Sequence, residues 1–235
     1  MTIQFNSSVN IANVAKQYKS DKRTRILEVL DDEIAAKLAV DIHDNVPFET
    51  AYVLDGEYKS STYEELHKLP QEQLNNLMHR IYGEASKGIG FYYGRHVLSP
   101  DKDSTSLVKQ AFEFLNAPST LDAIKKISGF DDIVAASAQV TRYYPGNFLT
   151  RHNDVHDTEQ RRVAYVLNLT PEWHPDWGGL LQFYQQDGTP RDAWAPTFNS
   201  LTLFDVNHVH AVTYVAPYAR KPRLSITGWF RAKPL

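Results

Sequence analysis

The sequence predicts a mainly β fold, a sandwich or barrel, with helices packed against it. After Gly129 the helical periodicity gives way to short strand-like segments separated by turn residues, which is typical of such folds. No linker or repeat divides the two halves of the chain. We therefore expect a single domain over residues 1–235, in which 1–130 form helical and strand support and 131–235 form the β core. The predicted strands of this core are 133–144, 148–152, 162–169, 180–184, 201–204, 209–215 and 224–230.

The N-terminal half is predicted to be largely helical. Apolar residues at helical spacing, with capping and breaking residues at the ends, indicate several helices. Two short β-rich segments, 25–30 and 48–54, read as strands, and Asp55-Gly56 marks a turn that could close a hairpin. The residues 99–104 form a polar stretch typical of a surface loop. The predicted helices are 10–21, 31–45, 60–88 in two pieces divided at Leu69-Pro70, 107–115 and 120–127.

Composition excludes several classes of function. The 235 residues contain no cysteine, which removes disulfides, thiolate metal sites and cysteine nucleophiles. A net charge of -3 provides no long-range attraction for nucleic acid or for an anionic membrane. The first residues do not resemble a signal peptide, and no run of 18 apolar residues occurs. We expect a cytoplasmic protein without nucleic-acid or membrane partners; the sequence makes no prediction of its oligomeric state.

The stretch Arg151-His-Asn-Asp154 is the strongest candidate for a metal site. His152 and Asp154 are two residues apart, and alternation along a strand puts both side chains on one face. A third ligand would come from His208 or His210, which are also two residues apart. Two imidazoles and one carboxylate form a facial set that suits Fe(II) and leaves three coordination positions open. Zn²⁺ would also bind such a set, so a zinc hydrolase remains an alternative, although the H-E-x-x-H pattern is absent.

Arg223 is a candidate anion-binding residue. It begins a predicted strand on which Arg223, Ser225 and Thr227 share one face. A guanidinium buried in a barrel is costly unless it is paired, and a small-molecule carboxylate could pair with it while Ser225 donates a second hydrogen bond. The alternative is an ordinary surface salt bridge near the C-terminus.

Six blocks in residues 139–231 together resemble the prolyl-hydroxylase-like Fe(II)/2-oxoglutarate dioxygenases. The resemblance implies a double-stranded β-helix, or jelly roll, buttressed by the N-terminal helices. It further implies that His152, Asp154 and His210 are the iron ligands, with His210 preferred over His208 by the match to the family pattern. Arg223 would pair with the distal carboxylate of 2-oxoglutarate, and Tyr144 would contact the same cosubstrate. The blocks are 144–147, 151–154, 162–168, 177–180, 210–215 and 223–229.

Two positions refine this resemblance. Some prolyl hydroxylases have a cosubstrate-binding tyrosine where this chain has Val166, and the adjacent Tyr165 would face the other side of a regular strand. Asp154 is present, whereas related halogenases have Gly or Ala there, so the chain resembles a hydroxylase. Trp173 and Trp177 could line a substrate entrance or could be core aromatics under a loop.

The function that the resemblance implies is hydroxylation of an unactivated C–H bond, with a prolyl residue of a protein or peptide as the first candidate substrate. The alternatives are hydroxylation of a free amino acid or other small molecule, and a non-catalytic metal-binding jelly-roll module. The expected cofactor is Fe(II), with 2-oxoglutarate and O₂ as cosubstrates and ascorbate as a further candidate. We expect no catalytic side chains beyond the metal ligands.

Overall fold

The computed structural model describes residues 2–101 and 104–235, so Lys102 and Asp103 of the predicted polar loop lie outside the described residues. The helices are α1 (Ile11–Asp21), α2 (Asp32–Asn45), α3 (Tyr63–His67), α4 (Gln71–Ala85), α5 (Ser106–Asn116), α6 (Pro118–Ser128) and a 3-10 turn (Pro175–Trp177). The strands are β1 (Arg23–Leu27), β2 (Glu49–Leu54), β3 (Glu57–Thr62), β4 (Phe91–Leu98), β5 (Ala135–Tyr143), β6 (Phe148–His152), β7 (Arg161–Asn168), β8 (Leu181–Tyr184), β9 (Pro190–Trp194), β10 (Ser200–Asp205), β11 (His210–Val212) and β12 (Arg223–Arg231).

All twelve strands belong to one antiparallel sheet with the order β1-β10-β7-β12-β5-β4-β6-β11-β8-β9, and β2 and β3 branch from β4. Strand β4 connects the two parts of this sheet. Gly94–Leu98 pair with β5, whereas Phe91 and Tyr92 pair with β6. The predicted mainly β jelly roll with flanking helices is confirmed.

The two faces of the strands β5, β12 and β7 have different chemistry. On β12, Leu224, Ile226 and Phe230 enter the main apolar core, which the helices α1, α2, α5 and α6 cover from the other side. Alternation then places the intervening residues, from Arg223 to Trp229, on the opposite face, inside the jelly roll. This separation lets one strand support a dry core and a polar interior at the same time.

The helices that cover the core have clear start and stop signals. The Asp31 side chain caps α2 by accepting hydrogen bonds from the backbone N–H groups of Glu33 and Ile34. Helix α6 begins with Pro118 as its first residue and ends at Gly129, whose φ of 81° is readily adopted only by a residue without a Cβ. Pro118 and Ser119 therefore lie within this helix, which the sequence predicted to begin only at residue 120. Among the described residues, the helices are too short or too polar to cross a membrane.

Three strands differ from the sequence prediction. Residues 60–62 were assigned to a helix, but they end β3, because the Asp55-Gly56 turn sets β3 in register with β2 and α3 starts only after the Thr62 cap. Strand β4 (Phe91–Leu98) was not predicted. Strand β9 was missed because its residues are mostly exposed and lack an apolar alternation.

The strands of the N-terminal half also take part in the sheet that carries the site. Strand β1 pairs with β10 over five residues, and β4 lies between β5 and β6. The N-terminal half therefore contributes strands as well as covering helices. That the chain forms one domain over 1–235 stays a prediction.

Candidate metal and cosubstrate site

His152, Asp154 and His210 converge at one point inside the jelly roll. Their ligand atoms all lie within 4.8 Å of one another. The Nε2 atoms of His152 and His210 lie 3.5 and 3.4 Å from different carboxylate oxygens of Asp154, and the two imidazole centroids are 4.3 Å apart. This is the donor set that the sequence predicted, and its arrangement is compact enough for one cation.

Both imidazoles are oriented in the same way. The Nδ1 atom of His152 is 2.9 Å from the Thr150 carbonyl oxygen, and Nδ1 of His210 is 2.9 Å from the His208 carbonyl oxygen. A carbonyl can only accept, so Nδ1 carries the proton in each ring. In its neutral form, each ring with this tautomer presents the Nε2 lone pair to the cluster, as a metal ligand requires.

The three ligands are positioned by different local structures. His152 ends β6 and pairs with His210 of β11, while a shift of register between these strands pairs Leu149 with Val212. This bulge lets Leu149 and His152 share the inner face although they are three residues apart. Asp154 lies beyond the end of β6, where its backbone N–H donates to the Val206 carbonyl at 2.9 Å. Asp154 is therefore fixed by a loop contact and not by regular strand alternation.

The electrostatics of the cluster suit a cation. Burial would raise the pKa of Asp154, but the hydrogen bond with His152, the interactions with both imidazoles and the indole N–H of Trp229 lower it to about 2. Burial lowers the pKa of His210 to about 4, so this imidazole is neutral at pH 7. Burial would also lower the pKa of His152, yet the hydrogen bond and the charge of Asp154 raise it. A carboxylate beside a neutral imidazole is the protonation state that a divalent metal needs.

Arg223 is buried in the same interior and is only 2% exposed. Among the residues that the structure describes, it has no ion-pair partner, and its Nε atom is buried without a hydrogen bond. Desolvation lowers its pKa, and the nearby Tyr143 offsets this only in part. A buried guanidinium without an anion destabilises the fold by about 3–5 kcal/mol, the cost of an uncompensated interior charge. The geometry therefore suits an external carboxylate.

The other two predicted cosubstrate residues have different positions. Ser225 is fully buried next to Arg223 on the inner face of β12, and its Oγ is 2.8 Å from Oγ1 of Thr141. Tyr144 is 43% exposed, and its ring contacts the guanidinium of Arg142 with 4.9 Å between the guanidinium carbon and the ring centroid. The structure brings Ser225 to Arg223 but does not bring Tyr144 there.

Tyr143 lies where Tyr144 was expected. It is the register partner of Arg223, and the Arg223 guanidinium carbon is 5.3 Å from the Tyr143 ring centroid. The Tyr143 ring stacks on Tyr93 at 4.8 Å, and burial raises its pKa well above the usual value, so its hydroxyl stays protonated. The alternation of apolar residues along β5 already indicated Tyr143 and not Tyr144 as the inward-facing tyrosine. On β5 the apolar Ala136, Ala138 and Val140 face the core, which puts Tyr143 on the polar inner face.

Two further expectations can be compared with the structure. His208 is not among the three converging side chains: it precedes β11 in a turn, and its Nε2 lies 3.0 Å from the Asp21 carbonyl oxygen. Trp173 packs with Tyr93 and Tyr143 in a half-buried aromatic cluster, and its indole N–H donates to the Gly178 carbonyl at 2.9 Å. Trp173 is therefore a packing residue beside Arg223, and Trp177 contacts it edge to face.

A family model supports the interpretation of this geometry. Residues 138–231 match the model described as the 2OG-Fe(II) oxygenase superfamily. This segment contains the three converging side chains, Tyr143 and Arg223. The match covers less than half of the chain. The description of the matched model implies Fe(II) with 2-oxoglutarate and O₂, and the His-Asp-His donor set fits iron. The individual ligand and cosubstrate roles of the residues stay predictions.

Two curated relatives named prolyl 3-hydroxylase match part of this chain. This chain is 34% identical over 114 residues to the mouse protein named prolyl 3-hydroxylase OGFOD1, covering 46% of this chain and 20% of the relative. It is 41% identical over 86 residues to the Xenopus laevis protein of the same name, covering 34% of this chain and 16% of the relative. The chain thus spans a fifth or less of the length of these curated relatives.

Solved structures of 2OG oxygenases share the fold across nearly the whole chain. A Pseudomonas putida prolyl-4-hydroxylase superposes with a TM-score of 0.64 at 20% identity, covering 96% of this chain and 100% of that one. A Trichoplax adhaerens prolyl hydroxylase, solved with a hypoxia-inducible-factor peptide fragment, gives a TM-score of 0.61 at 17% identity, covering 94% and 89%. At these identities the likeness concerns the fold alone.

Proposed function

We propose that this chain is an Fe(II)- and 2-oxoglutarate-dependent dioxygenase that hydroxylates a prolyl residue of a protein or peptide. The observation that carries the proposal is the pairing of a compact His-Asp-His cluster with a buried arginine that has no anion partner among the described residues. A structural metal site has no need of such an arginine. A zinc hydrolase is disfavoured because the H-E-x-x-H pattern of such enzymes is absent from the sequence.

The side chains of the site have separate tasks. His152, Asp154 and His210 would hold the iron, which with 2-oxoglutarate and O₂ supplies the oxidising power for C–H hydroxylation. Arg223 would bind the distal carboxylate of 2-oxoglutarate in a bidentate, charge-assisted pair. Tyr143 can donate from its protonated hydroxyl to the same carboxylate. Ser225 can donate as well when Thr141 donates to it, because the two hydroxyls are 2.8 Å apart and either can be the donor.

The walls around Arg223 exclude water from this end of the site. Tyr93, Tyr143, Val212 and Val215 form a buried cluster, and Trp173 packs against it. A low dielectric strengthens the pair between Arg223 and a carboxylate, and it keeps competing solvent away from the anion.

The substrate class rests on the relatives. The curated proteins that share 34% and 41% identity are named prolyl 3-hydroxylases, and one related structure holds a peptide. We therefore propose C3 of a prolyl residue as the position of hydroxylation. A free amino acid or another small molecule is the second candidate. Ascorbate as an auxiliary reductant and a cytoplasmic location are further parts of the proposal.

The proposal can be tested by product analysis. Purified protein is incubated with Fe(II), 2-oxoglutarate, ascorbate and a cell extract, and peptides are screened by mass spectrometry for a gain of one oxygen on proline. Amino-acid analysis of the product then separates 3-hydroxyproline from 4-hydroxyproline. We expect 3-hydroxyproline, and no product with His152→Ala. Oxygen gain on a free amino acid would favour the second candidate, and the same product from the variant would exclude the assigned ligand.

A further inference from the structure

Trp229 occupies the end of β12 opposite to Arg223. The two residues lie six positions apart on the same inner face, which corresponds to about 20 Å along an extended strand. The strand neighbours of Trp229 are Ala164 of β7 and Ser137 of β5. These small side chains leave room for an indole inside the jelly roll.

The indole packs against the side of the metal cluster. Trp229 contacts a buried apolar group that includes Phe204 and Val206. The Phe204 ring is 4.7 Å from the His210 ring, and the Val206 carbonyl accepts the backbone N–H of Asp154. Trp229 therefore belongs to the packing that fixes two of the three candidate ligands.

The Trp229 indole N–H is a buried donor without a hydrogen-bond acceptor among the described residues. Its Nε1 atom is buried and makes no hydrogen bond of ordinary geometry to any residue that the structure describes. The Asp154 carboxylate lies close enough for the indole N–H to contribute to lowering its pKa. A buried donor without an acceptor costs about 1–3 kcal/mol, so a small closure toward Asp154 is favourable.

The Arg161 guanidinium lies over the ring of the indole. The Arg161 guanidinium carbon lies 3.5 Å from the Trp229 ring centroid, and the Arg161 Nε donates to Glu159 at 2.8 Å. Arg161 is also close enough to His152 to lower the pKa of that imidazole. A cation over the ring face fixes the plane of the indole and draws electron density toward it, which makes the N–H a stronger donor.

We propose that Trp229 is a positioning residue of the metal centre, and that Arg161 clamps it. A carboxylate that binds a metal through one oxygen leaves the other oxygen free to accept a hydrogen bond. Trp229 supplies the donor for this second oxygen of Asp154 and so fixes the carboxylate in its ligand orientation. This inference rests on the proposed function only in taking the cluster to be a metal site; it does not depend on the identity of the substrate.

The test measures metal binding in place of turnover. The wild type, Trp229→Phe and Trp194→Phe are titrated with Co²⁺ without oxygen, and the ligand-field absorption of bound Co²⁺ gives the dissociation constant. Trp194 is a matched control: it packs in the same apolar group and also lies under guanidinium groups, those of Arg23 and Arg25 at 5.1 and 4.9 Å. Thermal unfolding of each metal-free protein checks that the fold is kept.

We expect Trp229→Phe to weaken Co²⁺ binding by about 10–100-fold, the usual effect of losing a hydrogen bond to a metal ligand, and Trp194→Phe to change it by less than about twofold. Arg161→Lys should weaken it less than Arg161→Met. Co²⁺ quenches nearby indole fluorescence, and this quenching should largely disappear in Trp229→Phe.

The outcomes separate this inference from the proposed function. Unchanged Co²⁺ affinity in Trp229→Phe, an equal loss in Trp194→Phe, or a wild type that binds no metal would each overturn the positioning role. If the affinities change as expected but 2-oxoglutarate is never converted, the proposed function fails and the positioning role stands.

Discussion

The guanidinium carbon of Arg223 lies 5.3 Å from the ring centroid of Tyr143, its register partner on the adjacent strand. The two residues form a cationic donor and a neutral donor at one closed end of the jelly roll. Because Arg223 has no anion partner in the described part of the chain, the fold carries an electrostatic cost that a dicarboxylate cosubstrate would remove.

Replacing Arg223 should change 2-oxoglutarate affinity and the free energy of unfolding in opposite directions. We expect Arg223→Met to weaken 2-oxoglutarate binding by about 2–5 kcal/mol, because a buried charge pair is lost. The same change should raise the free energy of unfolding of the ligand-free protein by about 1 kcal/mol or more, since an unpaired buried charge is removed. Isothermal titration and urea unfolding measure the two effects. Equal 2-oxoglutarate affinity in the variant would show that Arg223 has another role.

Tyr143 and Tyr144 provide an internal comparison. Tyr143→Phe removes a hydroxyl that can donate to a carboxylate, and we expect 2-oxoglutarate affinity to fall by about 1.5–3 kcal/mol. Tyr144→Phe should have little effect, because Tyr144 is 43% exposed and contacts Arg142. The KM for 2-oxoglutarate measures the difference. The reverse order of effects would restore the assignment of Tyr144 made from the sequence.

Gly179 lets the loop after the 3-10 turn approach Arg223. A Cβ at this position would lie 3.1 Å from Trp173 and 3.3 Å from Cδ of Arg223, at a φ of +61°. We expect Gly179→Ala to lower the free energy of unfolding by about 1–3 kcal/mol and to weaken 2-oxoglutarate binding as well.

Gly56→Ala is the control for this variant. Gly56 has a φ of +77°, but no atom of the described residues lies within 4 Å of its Cβ position. Gly56→Ala should therefore lower the free energy of unfolding through backbone strain and leave 2-oxoglutarate affinity unchanged. Equal affinities in both variants would mean that Gly179 does not constrain Arg223.

His210 should make the stability of the metal-free protein depend on pH. Its pKa is lowered from 6.5 to about 4 by burial, so the unfolded chain takes up a proton first as the pH falls. The stability from the neutral, buried imidazole is fully present above about pH 6.5 and is lost progressively toward pH 4. The loss between pH 7 and pH 5 is on the order of 2 kcal/mol.

The comparison with His210→Asn isolates this contribution. The opposite effect of His152, whose pKa is raised, is present in both proteins. Urea unfolding in the presence of a chelator should give a shallower pH dependence in the variant between pH 7 and pH 5. Parallel curves for the two proteins would contradict the buried, neutral state of His210.

The sequence predicted the three converging side chains and the buried arginine because each depends on a local pattern. His152 and Asp154, and Arg223 and Ser225, are short-range pairs whose types restrict their chemistry. Their convergence was predicted from resemblance, since no local pattern determines which distant strands become neighbours. The long helices α2 and α4 were likewise indicated by periodicity and by breaking residues.

The sequence prediction differed from the structure where strand register decides which side chains face the site. Tyr143 and Tyr144 differ only in the face that each presents, and a shift of one residue exchanges them. The bulge of β6 and the loop position of Asp154 depend on contacts with β11 and Val206, which are distant in the chain. The positioning of Trp229 also depends on a non-local partner, Arg161. None of these contacts leaves a periodic signal in the sequence.

The central claim is that His152, Asp154 and His210 hold an iron that acts with a 2-oxoglutarate bound at Arg223. The most direct measurement is succinate formation from 2-oxoglutarate by the purified protein with Fe(II) and a cell extract, in air and without oxygen. We predict succinate only when Fe(II) and oxygen are both present, and none with His152→Ala. Equal succinate formation by His152→Ala, or none by the wild type, would contradict the claim.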